Sequence, residues 1–272
     1  MGKKLFYDNF TEDQICGIFT PWHFFAIAVF FVTVILAIYF SRKLNDKQTK
    51  IMMWTIAILV TSMETIKIIL RLCKGSGGDG WIPLYFCSLF IYAIWLSLCK
   101  NKSLKTTGLC FMALGGLPAA LCYIFYPSTS LLLYPLWHPA SLHSLFYHWL
   151  MVYAGSLIFI KKLYKLKLLD FVYYFVFVTI FSAIAIIINY FLGTNLMFMG
   201  SPFGLTFLEP IFNYSKELYI ILVYLAQAVA FYFLTYGIYC IIKLVVDKRR
   251  IKHEPIWLLF YKQSIFACRF AG

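Results

Sequence analysis

The chain carries a thiol, a few imidazoles, a carboxylate and two cations where charge and polarity are otherwise scarce. The thiol is Cys87, inside the uncharged run Trp81–Trp95 (WIPLYFCSLFIYAIW). Read as a helix rising 1.5 Å per residue, that run puts Cys87 about 9 Å from Trp81, in hydrocarbon but within reach of one bilayer face. A lone cysteine in an apolar helix is packing. It becomes a nucleophile only if a histidine at the same depth takes its proton, and the chemistry is then acyl transfer through a thioester. Two candidates for that base are His143 and His148, five residues apart. On one helix they point about 140° from each other, so both cannot line one pocket unless the helix start is irregular. His148 lies about 7 Å deeper, which matches the depth of Cys87. It is the preferred base, with His143 the alternative.

Glu64, Lys67 and Arg71 are spaced three and four apart, so they share a helical face. One reading is an internal ion pair with Arg71 snorkelling outward. The other has Lys67 and Arg71 holding a lipid phosphate while Glu64 orients a histidine. A metal site would need His23, His138, His143 or His148, and these form no HxxxH or HExxH pair. The eight cysteines form no CxxC. Neither metal nor cofactor is expected. Cys16 and Cys73 fall on one side of the membrane and could pair, although free thiols are the simpler expectation.

These groups need a scaffold, and composition defines it. The chain is 62% hydrophobic and 13% charged, with mean hydropathy +0.80, against about 25% charge in soluble domains. This is an all-α polytopic membrane protein. No alternating ten-residue segments suggest a β-barrel. Apolar runs long enough to span a bilayer predict a seven-helix transmembrane bundle, roughly 22–41, 51–72, 81–99, 106–126, 142–160, 170–192 and 217–243. The fourth should kink at LGGLP (114–118). The net charge of +13 is not a nucleic-acid signature, because the positive residues sit in short loops. Eighteen of the 24 Lys and Arg, among them Arg42, Lys100, Lys161 and Lys248, fall on one side. The positive-inside rule then puts the N-terminus outside and the C-terminus in the cytoplasm, as an odd number of spans requires. The expected layout is an extracellular segment 1–21, a membrane domain 22–243 and a cytoplasmic amphipathic tail 244–272, in a multi-pass protein of the cell membrane. The polar start does not read as a cleaved signal peptide. Two outer segments, 127–141 and 193–216, are apolar but broken by Gly and Pro, so they read as re-entrant or interfacial covers.

On this topology nearly all the intramembrane polar groups fall in the outer third: His23, Glu64, Lys67, Arg71, His143, His148, Asn195 and Glu217. Each is costly there, about 2.5–3.5 kcal/mol near the bilayer centre for a charged group, which favours a functional reading.

The sequence resembles the YwaF-type bacterial integral membrane proteins, whose vertebrate relative is transmembrane protein 164. The resemblance rests on His23, on Pro83–Cys87 (PLYFC), on His143–Val152 (HSLFYHWLMV) and above all on Asn189–Pro202 (NYFLGTNLMFMGSP), and it spans about residues 20–243. It implies an acyltransferase that moves fatty acyl chains between glycerophospholipids and lysophospholipids through a cysteine–histidine pair, here Cys87 and His148. Bacterial relatives often carry a histidine two residues before the cysteine; Tyr85 stands there in this chain. The expected site is therefore Cys87, His148 and Glu64 for catalysis. His23, Lys67, Arg71, Tyr85, His143, Thr194 and Asn195 would contact substrate, with Thr194 or Asn195 donating to the oxyanion. The competing class is a non-enzymatic carrier or binding component for a small solute, using the same outer cavity. Inverted repeats would support it; the two halves show none.

Overall fold

In the computed structural model, residues 10–11, 13–73, 82–202 and 208–253 are described, with side chains through 246. Among them there is no strand. The helices are α1 (Pro21–Ser41), α2 (Asp46–Cys73), α3 (Leu89–Ser97), α4 (Lys102–Phe111), α5 (Leu117–Phe125), α6 (Pro139–Ile160), α7 (Phe171–Leu192), α8 (Glu209–Tyr214), α9 (Lys216–Leu225) and α10 (Phe231–His253). Five stretches are long and apolar enough to cross a membrane: Pro21–Ser41, Lys102–Phe125, Pro139–Ile160, Leu168–Leu192 and Lys216–Val246. The chain divides into two compact units, Met1–Tyr232 and Phe233–Gly272. The first holds all the candidate site residues. In the second, Tyr236 and Tyr239 place their rings 5.9 Å apart along α10. The expected tail motif from 254 onward and Trp81 lie outside the described residues, as does the middle of the 193–216 cover.

The predicted kink is real and has a specific form. Met112–Gly116 is a π-turn joining α4 to α5, with Pro118 in the first turn of α5. Proline removes one backbone donor, and the wider turn absorbs the mismatch. A second π-turn, Ala226–Ala230, joins α9 to α10; nothing in its sequence marked it. The largest departure concerns the third predicted span. Instead of a helix over 81–99, residues 85–88 form a turn and α3 begins only at Leu89.

Lipid tails are as apolar as Leu, so helices here associate through close packing and interhelical hydrogen bonds rather than through the hydrophobic effect. Small residues mark the tightest contacts. Gly108 lets α4 lie directly on the α3 backbone at Ala93 and Ser97, and Gly155 lets α6 lie on Leu117. Hydroxyls and indoles add cross-links. Trp95 Nε1 donates to Thr61 Oγ1 at 2.9 Å between α3 and α2, and Trp149 Nε1 to Thr33 Oγ1 at 3.0 Å between α6 and α1. The helix α1 buries only one stripe, including His23, Ala26, Phe30 and Val34, and leaves Trp22, Phe25, Val32 and Leu36 exposed as a lipid-facing surface. In contrast α3 is enclosed, and no residue from 82 to 99 is exposed.

Two ends of the bundle are distinct. At one, Lys161 Nζ donates to the carbonyls of Arg42, at 3.3 Å, and Leu44, tying two basic loops together. Nearby, the Asp170 carboxylate accepts from Tyr164 Oη (2.9 Å) and the Lys167 amide (2.7 Å). Burial pushes the Tyr164 phenol up to about 12, so it remains a proton donor to Asp170 across the neutral range. At the other end, the Cys16 and Gly17 amides donate to the carbonyls of Tyr134 and Leu131. The 127–138 cover is thus a set of hydrogen-bonded turns with Leu131 fully buried, capped by the N-terminal segment. Cys16 is buried and Cys73 exposed, and both are free thiols.

His23 belongs to this second end. Its Nδ1 accepts from the Phe19 amide at 2.9 Å, and its Nε2–H donates to the Ile124 carbonyl at 3.0 Å. The tautomer follows from those partners. Both nitrogens are therefore engaged by backbone, and His23 pins the start of α1 to the end of α5 instead of presenting a free nitrogen to substrate. His23→Ala strands the buried Ile124 carbonyl, at a cost of about 1–3 kcal/mol, and frees the part-buried Phe19 amide. We expect a clear drop in melting temperature in detergent, with residual lipid binding by whatever fraction folds.

Candidate functional site

Pro83 and the aromatics around Cys87 explain why the helix starts late. Tyr85 and Phe86 are consecutive yet pack in different places: Tyr85 against Phe198 (5.5 Å between rings), Phe86 against Phe111 (5.5 Å) and Phe231 (5.4 Å). The backbone closes into a turn in which the Leu89 amide donates to the Tyr85 carbonyl (3.2 Å) and the Phe90 amide to the Cys87 carbonyl (3.1 Å). The hydroxyl of Tyr147 also donates to the Cys87 carbonyl, at 3.3 Å. Non-helical backbone at membrane depth is tolerated only where protein satisfies it, and Tyr147 does so here. Cys87 accordingly lies in the turn before α3, rather than in the second turn of a helix.

On α6 the two histidines face different neighbours, with Tyr147 between them. His148 is 6% exposed. Its Nδ1–H donates to the Ser144 carbonyl at 2.7 Å, and its ring stacks on Tyr123 at 3.5 Å and 7°. The Tyr123 hydroxyl bonds Ser130, in the 127–138 cover. The remaining nitrogen, Nε2, is buried and has no hydrogen-bond partner. Tyr147, whose hydroxyl bonds the Cys87 carbonyl, has its ring 5.6 Å from that of His148, so it touches both the thiol-bearing turn and this imidazole.

His143 instead faces α2. Its Nε2 is 3.8 Å from Glu64 Oε2, while Glu64 Oε1 pairs with Lys67. Glu64 is 4% exposed, whereas the Lys67 side chain keeps 27% of its surface. The carboxylate is thus a buried hub with a half-open cation on one side and the alternative base on the other. Arg71 lies one turn further along α2 and is half-buried. Glu64 therefore faces His143 Nε2 across a gap too long for a hydrogen bond, and that nitrogen is buried without a hydrogen-bond partner, while a backbone carbonyl orients His148.

Thr194 and Asn195 are both committed to the fold of their own loop. The Thr194 hydroxyl donates to Asn189 Oδ1 at 2.7 Å. Asn195 Oδ1 accepts from the amides of Gly200 (2.8 Å) and Ser201 (2.9 Å), and its Nδ2 donates to the Ser201 carbonyl (3.1 Å) and hydroxyl (2.8 Å). As oxyanion donors they are already spent, because every proton has a partner. Instead they close a loop whose Met197 and Phe198 both adopt positive φ, 55° and 56°. Each such non-glycine residue costs of order 1–3 kcal/mol and persists only where the surroundings over-determine it. Gly200 is required here, since a Cβ would lie 2.6 Å from the Thr194 carbonyl oxygen.

Sequence reasoning missed Tyr147 and Tyr123. Tyr147 stands inside the HSLFYHW motif, four residues from His143 and next to His148, and that adjacency was its signal. Nothing in the sequence marked Tyr123. Among the described residues no three His, Cys, Asp or Glu come together in a way that could hold a metal ion. His138, a candidate ligand by residue type, caps α6 by accepting from the Ala140 amide at 3.2 Å.

The polar groups at this end all lie within the segment 18–245, which matches the family model described as the TMEM164 family. The chain belongs to the TMEM164 family. No curated protein and no solved structure matches it. In this TMEM164-family chain the match runs from the turn before α1 into α10, so it takes in Cys87, both α6 histidines, Glu64 and the 189–201 loop. The membership and the apolar helices make this a multi-pass membrane protein.

Proposed function

We propose that this protein is a lipid acyltransferase working at the outer leaflet of the cell membrane. In this reading α2 and the 82–97 segment cross the bilayer with the five apolar stretches above, giving seven spans, an outside N-terminus and a cytoplasmic C-terminal tail. The basic loops joined by Lys161 face the cytoplasm, and Cys87, His148 and Glu64 lie at the opposite end.

The observation that carries the reading is the state of His148 beside Tyr147, whose hydroxyl bonds the Cys87 carbonyl; His143 has an equally unpartnered buried Nε2 but faces Glu64 on α2. Its Nδ1–H is fixed by the Ser144 carbonyl, and its buried Nε2 holds a lone pair with no partner. That is the tautomer a general base needs. Nε2 takes the Cys87 proton, and the sulfur attacks the ester carbonyl of a glycerophospholipid. Collapse of the tetrahedral intermediate breaks the ester C–O bond. The leaving lysolipid alkoxide takes the proton back from Nε2–H, leaving the acyl group as a thioester on Cys87. An acceptor lysolipid hydroxyl then gives its proton to Nε2 and attacks the thioester, and the thiolate leaves and is reprotonated. Lys67, held by Glu64, and Arg71 supply cations for the lipid phosphate.

The test is direct. Purified protein in nanodiscs, given a phospholipid with a tagged acyl chain, should carry that chain on the Cys87 peptide, and hydroxylamine should release it. An acyl label that persists in Cys87→Ala protein would sink the mechanism. Tight binding of a small solute, with no acyl-enzyme and no effect of Cys87→Ala, would point to the carrier class instead.

A further inference from the structure

We infer that Phe198 is a positioning residue for Cys87, and that the strained Asn189–Ser201 loop is the rigid member setting the turn that carries the thiol. The inference rests on the acyl-transfer reading for its consequence, though not for its geometry.

Three elements hold the loop's backbone. From α7, Asn189 Oδ1 accepts from the Leu196 amide at 2.8 Å and Nδ2 donates to the Leu196 carbonyl at 3.0 Å. From α9, the Tyr219 hydroxyl reaches the carbonyls of Phe198 (2.6 Å) and Ser201 (2.9 Å). From the second π-turn, Gln227 Nε2 donates to the Met197 carbonyl at 2.8 Å. Two consecutive non-glycine residues are thereby kept in the left-handed region. The product of that constraint is the location of Phe198, whose ring lies 5.5 Å from that of Tyr85. Tyr85 is the first residue of the turn containing Cys87, since its carbonyl accepts the Leu89 amide. Ser88, at the N-cap of α3, makes no capping hydrogen bond. The turn is held from outside by the Tyr147 hydroxyl on the Cys87 carbonyl and by Phe198 on Tyr85. A thiol that must meet both a lipid carbonyl and an imidazole needs such a clamp, since a misplacement of order 1 Å can cost about 100-fold.

Two rates test this in nanodisc-embedded protein: alkylation of Cys87 by N-ethylmaleimide, followed on its own peptide, and acyl-enzyme formation from phospholipid. In Phe198→Ala, Cys87 alkylation should rise and acyl-enzyme formation should fall by about 100-fold, while alkylation of the buried Cys110 stays at the wild-type rate. Phe198→Tyr, which keeps the ring, should restore both. If Phe198→Ala does not fold, Tyr219→Phe removes the hydroxyl at nearly constant volume and should shift both rates in the same directions. Unchanged Cys87 alkylation in these variants overturns the inference, and so does a parallel rise at Cys110, which would make the loop a general scaffold. If wild-type protein forms no acyl-enzyme, the transfer reading fails while the alkylation arm still tests the clamp.

Discussion

His148→Ala should slow acyl transfer about 10²–10⁴-fold, the usual worth of a positioned acid–base group, and leave lipid binding nearly unchanged. The ring lies between Tyr123 and Tyr147; its loss removes the acceptor nitrogen, while the Tyr147–Cys87 hydrogen bond is made by other groups and keeps both its partners. His143→Ala should do much less to the rate. Its Nε2 faces Glu64, 3.8 Å away, so its removal acts on the Glu64–Lys67 pair and hence on lipid affinity. Single-turnover rates and lipid affinities of the two variants separate these roles. Should His143→Ala be the crippled enzyme and His148→Ala nearly normal, the base is the histidine facing Glu64 and the assignment must be exchanged.

The second large effect is structural. Gly108→Ala should destabilise the protein by on the order of 3 kcal/mol, the upper end for forcing atoms into a packed interior. The new Cβ would fall on the Ala93 carbonyl and the Ser97 amide, and 2.9 Å from Ser97 Cα. These are backbone atoms of a buried helix and cannot rotate away. Gly237→Ala is the matched control, because its Cβ would meet nothing within 4 Å. It should be neutral, or stabilising by up to about 1 kcal/mol through helix propensity. Unfolding of both variants by heat or denaturant in the same detergent checks the contrast. Equal stability of Gly108→Ala and wild type would mean that α3 and α4 are not in backbone contact.

Much of the helical scaffold was legible because the membrane imposes long uninterrupted apolar runs. The bounds of α1, α6 and α7 lie within a few residues of those read from hydropathy, and the Gly-Gly-Leu-Pro interruption announced the first π-turn. Hydropathy failed at 82–88, where every residue is apolar enough for a helix. The choice between turn and helix was made there by partners far along the chain, Tyr147 and Phe198. The same limit governs the site. Residue type singled out Cys87, His148 and Glu64, but not which histidine Glu64 would face. Asn195 and His23 were legible as costly polar groups in the membrane. That their capacity is used up by the backbone of neighbouring segments depends on tertiary contacts, which spacing does not encode.

The enclosure of α3 has a consequence for selectivity. No residue between 82 and 99 is fully exposed, and half of them, Cys87 included, keep intermediate exposure, so the thiol-bearing strip offers only narrow openings to the bilayer. On the acyl-transfer proposal, a fatty tail arriving at Cys87 slips through a seam beside α3. Preference for tail length and unsaturation is then a property of that seam, and side chains there can be retailored without disturbing the reacting atoms.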